Sequence, residues 1–105
     1  MAGTTDAGPD GRSRNPGDAA AQARAVFEII GRALAEGGFS FADVVRTRMF
    51  VVDIAASSAA ISRVHGEIFG AIRPAATMIE VPALIDPSLL VEIEAEARRS
   101  EARRG

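Results

Sequence analysis

The 105-residue sequence predicts one α+β domain, in which two helices pack on one face of a mixed sheet. Apolar residues recur at helical spacing in two segments, whereas other segments alternate apolar and polar residues as strands do. The predicted order is helix, strand, helix, strand, strand. This order favours a parallel strand pair across the second helix and an antiparallel pair across the short last loop.

Composition excludes several kinds of site. All 12 basic residues are arginine, cysteine is absent and there is one histidine, which excludes lysine Schiff bases, disulfides, zinc–thiolate sites and multi-histidine metal centres. A net charge of −2 gives no general attraction to nucleic acid. No apolar run approaches the roughly 20 residues of a membrane span, and the start does not resemble a signal peptide. We therefore expect a soluble cytoplasmic protein without metal or cofactor.

The first helix is predicted over Asp18 to Glu36, where Asp18 can cap it by accepting backbone N–H bonds. Gly37 and Gly38 end it. The second helix is predicted over Ser57 to Phe69, with Ser57 or Ser58 as its cap.

The segment before the first helix, residues 1–17, is rich in glycine, proline and aspartate. Such composition is typical of loops, so we predict either a flexible arm or the remnant of a strand. The single domain would then comprise residues 18–105, of which Arg98 to Gly105 form a charged tail or a frayed strand end.

Three strands are predicted, over Asp43–Asp53, Ala75–Val81 and Leu89–Ala97. In the first strand, Arg46 and Arg48 lie between apolar residues on one face, which is typical of a face half covered by a ligand or another subunit. In the last strand, Glu92, Glu94 and Glu96 share one face. Because neighbouring carboxylates repel one another, that face is either solvated or lines a site. The helix-free face of the sheet also carries apolar residues, so we expect other subunits to cover it.

His65 lies four residues from both Ile61 and Phe69, on the apolar stripe of the second helix. A packed histidine with one hydrogen bond is the favoured interpretation, since a lone histidine without partners is seldom a ligand. No nucleophile-elbow motif accompanies it.

The order of elements, together with the stretches ADVVRTRMFVVDI, HGEIFGAIRPAATMIEV and LVEIEAEA, resembles the Rid family, also called the YjgF or endoribonuclease L-PSP family. The resemblance implies the fold of the bacterial trimeric type of chorismate mutase. It also implies a homotrimer with small-molecule clefts between subunits, and hydrolysis of reactive 2-imino acids and enamines to 2-oxo acids and ammonia. The family's older association with RNA cleavage or translation inhibition fits this charge and composition poorly.

The resemblance also implies site residues. Glu92 matches the glutamate that positions the attacking water, and Gly3 matches a glycine whose N–H binds the ligand carboxylate. Pro74 to Thr77 match the family motif Pro-Ala-Arg-Ser, which places Thr77 in the ligand site. Ala76 stands where the family has the arginine that binds the substrate carboxylate. A guanidinium group binds a carboxylate through two hydrogen bonds, and the methyl group of alanine can form neither.

Three arginines are candidates to replace the missing one: Arg46 and Arg48, reaching over from the next subunit, and Arg73. For the first two, salt bridges to glutamates on neighbouring strands are the favoured alternative. Arg73 lies an odd three positions from Ala76, which predicts the opposite strand face.

Residues Ala2 to Thr5 resemble the end of the family's second strand, so the family's N-terminal hairpin is expected to be missing. Two functions follow from the resemblance and these departures. One is an imine or enamine deaminase, and the other is a trimer without that activity that binds a less acidic metabolite.

Overall fold

A computed structural model describes residues 3–99 and confirms the predicted α+β architecture. Its elements are α1 (Ala19–Glu36), a 3-10 turn (Phe41–Asp43), β1 (Val44–Val51), α2 (Ile54–Phe69), β2 (Ala75–Glu80) and β3 (Val91–Ala97). The strands form a sheet in the order β2-β1-β3, in which β2 runs parallel and β3 antiparallel to β1. Both pairings agree with the connections predicted from the sequence. Within the described range, no helix is long and apolar enough to cross a membrane.

The helix caps agree with the prediction at α1 and differ at α2. The Asp18 side chain accepts the Ala21 N–H at 2.9 Å, as predicted. The prediction of Ser57 or Ser58 as the second cap is wrong, because α2 begins three residues earlier. Asp53 is its N-cap, in a left-handed conformation with φ of 54°. Only Val52 and this aspartate separate β1 from α2, so the connection is shorter than predicted.

A β-bulge shifts the face pattern of β1. The register against β3 is interrupted between Val44 and Arg46, so the extra residue Val45 is turned outward and is 42% exposed. Strict alternation along β1 would place Val45 on the face of Thr47, and the bulge is the reason that Val45 lies elsewhere. Beyond the bulge, Thr47 faces the helices and is fully buried.

The core lies between the helices and the inner face of the sheet. Its residues are Ala23, Val26, Phe27, Ile30, Leu34, Val44, Met49, Val51, Ile61, Val64, Phe69, Val91, Ile93 and Ala95. The aromatic rings of Phe27 and Phe69 meet edge to face at 5.5 Å between centroids. Neither α1 nor α2 covers the opposite, outer face of the sheet, which presents alternate residues of all three strands.

Residues 3–17, here called the N-terminal segment, pack against β3 and α1. Thr4 forms an antiparallel bridge with Ile93 through two backbone hydrogen bonds of 2.8 and 2.9 Å. The Asp6 carboxylate is buried and accepts hydrogen bonds from the Ser13 hydroxyl and the Asn15 amide. The predicted domain boundary at residue 18 stays a prediction. Residues 1–2, and the part of the predicted tail from residue 100 onward, lie outside the described range.

Gln22 of α1 fastens this segment from the inside. Its side chain is fully buried and its Nε2 donates to the carbonyl oxygens of Asn15 and Ser88, at 3.1 and 3.0 Å. Its Oε1 accepts the Leu90 N–H at 2.8 Å. One side chain therefore ties together the N-terminal segment, α1 and the loop that leads into β3. Helical spacing from Val26 is enough to place Gln22 on the inward side of the helix, but it does not reveal these three hydrogen bonds.

Candidate functional site

The structure places the predicted site residues on opposite faces of the sheet. Glu92 of β3 pairs with Phe50 of β1, and both belong to the outer face. Ala76 of β2 pairs with the buried Thr47, which places it on the inner face with the helices. The two strands lie on either side of β1. A single chain therefore does not bring Glu92 and Ala76 into one site.

The first group, which we call the Glu92 corner, comprises Gly3, Thr4, Phe50 and Glu92. The bridge between Thr4 and β3 brings Gly3 directly beside the Glu92 side chain. A Cβ atom on Gly3 would lie 2.8 Å from Glu92 Cδ and closer still to Oε2. The carboxylate thus lies against the backbone of Gly3, and only glycine leaves it that space. The structure brings these two predicted residues together.

The second group, which we call the Ala76 recess, has a volume of about 250 Å³ and opens between α2, β1 and β2. It is lined by Met49, Ser62, His65, Ala76 and Met78. Ser62 and His65 are three residues apart on α2, so they share a helix face. That spacing was visible in the sequence, but only the packing of α2 beside β2 shows that the pair faces Ala76.

His65 has the contacts of a packed histidine, as predicted, and it also reaches the recess. Its Nε2 and the hydroxyl of Thr47 are 2.9 Å apart, and its ring lies 4.7 Å from the ring of Phe69 between centroids. Burial lowers the pKa of the imidazole below its ordinary value. The ring is therefore neutral at neutral pH, and the recess has no positive charge from it.

The arginines of β1 lie on the outer face, away from the recess. Arg48 Nη2 contacts Glu94 Oε1 at 2.7 Å, so Arg48 makes the predicted cross-strand ion pair. Arg46 pairs in register with Glu96 on one side and Ala75 on the other. Both guanidinium groups thus have carboxylates of β3 as neighbours across the outer face.

Thr77 and Arg73 occupy different surroundings from Ala76. Thr77 pairs with Arg48 and so lies on the outer face. Arg73 precedes β2 in a left-handed conformation with φ of 57°, and its N–H bonds the Phe69 carbonyl at 2.8 Å. The strand alternation used to predict its direction therefore does not apply, because Arg73 belongs to the turn that ends α2.

A family model described as Endoribonuclease L-PSP matches residues 1–99. The chain belongs to the endoribonuclease L-PSP family, also called the Rid or YjgF family. Among curated relatives, it is 41% identical over 81 residues to the 3-aminoacrylate deaminase RutC of Acinetobacter baylyi, covering 77% of this chain and 63% of RutC. It is 35% identical over 83 residues to the uncharacterized protein SCO2049 of Streptomyces coelicolor, covering 79% and 61% of the two chains. The chain thus spans about three fifths of the length of these relatives.

Solved structures agree with the family and with the fold. Rv2704 of Mycobacterium tuberculosis, described as a member of the YjgF/YER057c/UK114 family, has a TM-score of 0.80 at 47% identity, covering 92% of this chain and 75% of that one. A protein of Thermotoga maritima described as a putative endoribonuclease has a TM-score of 0.83 at 28% identity, covering 95% and 77%. The predicted chorismate-mutase-like fold is thereby confirmed.

Proposed function

We propose that this Rid-family chain forms a homotrimer that hydrolyses reactive imines or enamines to carbonyl compounds and ammonia. The observation that carries the proposal is the Glu92 carboxylate held against Gly3, the two residues that the family resemblance assigns to the water and the ligand. The similarity to RutC, a relative named as a deaminase, supports the same reaction class.

Glu92 is the proposed general base. In this role its carboxylate accepts a proton from water while the water oxygen attacks the carbon of the C=N bond. The resulting carbinolamine expels ammonia after the proton is returned to nitrogen, so that one water and one imine give one carbonyl compound and one ammonia. The contact with Gly3 restricts the carboxylate to one side and thereby orients it for the attack.

The trimer is proposed because each chain holds only half of the site. The Ala76 recess of one subunit would meet the Glu92 corner of the next, which brings the two groups together across an interface. Apolar exposure on the outer face supports this arrangement, since Ile79 is 41% exposed beside Phe50.

Sedimentation of the Ile79→Glu variant tests the trimer. A buried charge at an interface disfavours assembly, so we expect a trimeric mass for the unmodified chain and a monomeric mass for this variant. Ile85→Glu is the matched control, because Ile85 is 91% exposed in the loop between β2 and β3 and should leave the mass unchanged. A monomeric mass for the unmodified chain would contradict the proposal.

Ammonia release from freshly generated 2-iminobutyrate and from an enamine tests the reaction. We expect Glu92→Gln to lower the rate by roughly 100-fold or more, because the amide cannot take the proton. Glu96→Gln is the control on the same strand face, exposed and paired with Arg98. Equal rates in the two variants would remove Glu92 from the mechanism.

A second candidate is a trimer that binds a small metabolite without hydrolysing it. It is favoured by one observation, the absence of an arginine among the residues that line the Ala76 recess. Saturable binding of an imine analogue, without ammonia release from the corresponding imine, would select this candidate.

A further inference from the structure

The described residues that line the Ala76 recess provide no ionised group at neutral pH. Met49 and Met78 supply thioether chains and Ala76 a methyl group. The polar contributions come from the Ser62 hydroxyl and the His65 ring. Because burial keeps the imidazole in its neutral form, an anion entering this space would lose part of its hydration without gaining an opposite charge.

The remaining arginines of the sheet are poorly placed to provide that charge within the chain. Arg48 is already paired with Glu94, and Arg46 lies beside it on the outer face. Arg73 belongs to the exposed turn before β2 and is absent from the lining of the recess. The carboxylates of β3 on the outer face, those of Glu92, Glu94 and Glu96, would oppose the approach of an anionic ligand to that face.

The polar atoms that are present suit a neutral group. The Ser62 hydroxyl can both donate and accept a hydrogen bond. In His65, the contact with Thr47 occupies Nε2, and within residues 3–99 no hydrogen bond engages Nδ1. A carboxamide also combines a donor and an acceptor, so it can satisfy both side chains without burying a net charge.

We propose that the Ala76 recess binds a small apolar ligand through a neutral carbonyl group, a carboxamide in the first place, in preference to a carboxylate. The recess of about 250 Å³ is below the range of pockets for drug-sized molecules, which favours a small metabolite. The inference rests on the proposed function, because it takes this recess to be the part of the site that binds the ligand. It narrows the proposed substrates to imines or enamines of neutral carbonyl compounds, as distinct from 2-imino acids.

The single histidine of the chain makes a direct binding measurement possible. In protein without a histidine tag, the imidazole Cε1–H resonance reports on His65 alone. We would titrate 2-oxobutanamide and 2-oxobutyrate in turn at pH 7.5 and follow this resonance. The two probes share their carbon skeleton and differ in charge.

The expected result is a saturable shift of the His65 resonance with the amide, at an affinity roughly tenfold or more above that for the carboxylate. Equal or tighter binding of the carboxylate would overturn the inference, as would the absence of any shift with the amide at millimolar concentration. These outcomes can be distinguished by titrating the unmodified chain, without any variant.

Ala76→Arg should reverse the preference, because a guanidinium group in the recess would bind the carboxylate by two hydrogen bonds. Ala35→Arg is the matched control, since it adds the same charge to an exposed position of α1 outside the recess. This control should keep the preference for the amide. A preference for the amide in both variants would contradict the assignment of the recess as the binding site.

Hydrolysis assays separate this inference from the proposed function. Release of ammonia from 2-iminobutyrate together with tighter binding of 2-oxobutyrate would support the deaminase and overturn the inference. Binding of the amide at His65 without ammonia release from any imine would support the inference and contradict the deaminase.

Discussion

The Glu92 corner and the Ala76 recess are built in different ways. The corner joins residues 3–4 to β3 through backbone hydrogen bonds and has no room for a side chain at Gly3. The recess is formed by side chains of α2, β1 and β2 and stays open to solvent at His65 and Ser62. Geometry at the corner thus depends on how distant parts of the chain are fastened together. Chemistry at the recess depends on which side chains project into it.

This difference in construction determines which substitutions the Glu92 corner and the Ala76 recess each tolerate. Substitution of the exposed lining residues of the recess, Ser62 and Ala76, can alter ligand preference at small cost in stability, because these side chains have space to adjust. At the corner, a side chain added to Gly3 must displace the Glu92 side chain or the bridge between Thr4 and Ile93. The predictions below test this contrast, beginning with the largest expected effect.

Gln22→Leu should lower the free energy of unfolding by about 2–4 kcal/mol, because three buried hydrogen bonds are lost at once. Urea unfolding measures the change. The exposed helix position Arg32→Leu is the control and should change stability by less than about 0.5 kcal/mol. If Gln22→Leu also stays within this range, the Gln22 side chain does not fasten the N-terminal segment to the loop before β3.

Gly3→Ala should lower the hydrogen-exchange protection of the Thr4 and Ile93 amides by roughly tenfold, which corresponds to about 1.4 kcal/mol. The new methyl group would overlap Glu92, so the side chain or the bridge must move. Gly66→Ala is the same change on α2, where an added Cβ meets nothing within 4 Å. It should raise stability by about 0.5–1 kcal/mol. Unchanged exchange in Gly3→Ala would show that the corner is less tightly packed.

Thr47→Val should cost about 1 kcal/mol, the net value of one hydrogen bond. The shape of the side chain is kept, whereas the bond to His65 is lost. Because His65 is only partly buried, water can replace the hydroxyl at the imidazole. Thermal unfolding measures the cost, and the His65 resonance should move in the same variant. A stability loss without movement of that resonance would contradict the assigned contact.

The pH dependence of stability gives the smallest effect. The pKa of His65 in the folded chain is lowered, so the unfolded chain binds more protons once the pH falls below the ordinary value of 6.5. Stability should therefore be fully present above that value and decrease as the pH falls toward the folded pKa. His65→Gln should flatten this part of the profile. An unchanged slope would show that the imidazole is not desolvated.

Several features of the fold follow from local patterns in the sequence. The alternation along β3 was sufficient to place Val91, Ile93 and Ala95 inside and the three glutamates outside, as found. The order of elements was sufficient to predict both strand pairings, because short and helical connections have strong geometric preferences.

Other features depend on tertiary geometry that no local pattern encodes. The bulge at Val45 inserts one residue into a regular alternation, and the sequence around it does not mark the insertion. The start of α2 at Ile54 depends on Asp53 adopting a left-handed conformation. The recess itself depends on the distance between α2 and β2, which periodicity alone does not specify.

The network around Gln22 also bears on the order in which the chain folds. The hydrogen bonds from Gln22 to Ser88 and Leu90 span 66 and 68 residues, and the bond between Ser13 and Ser88 spans 75. Such contacts form late, because the entropy of closing a long loop is lost before any bond is gained. During synthesis, α1 and β1 are complete well before β3 emerges. The Glu92 corner is therefore the last part of the chain to be assembled, and a chain truncated before β3 cannot form it.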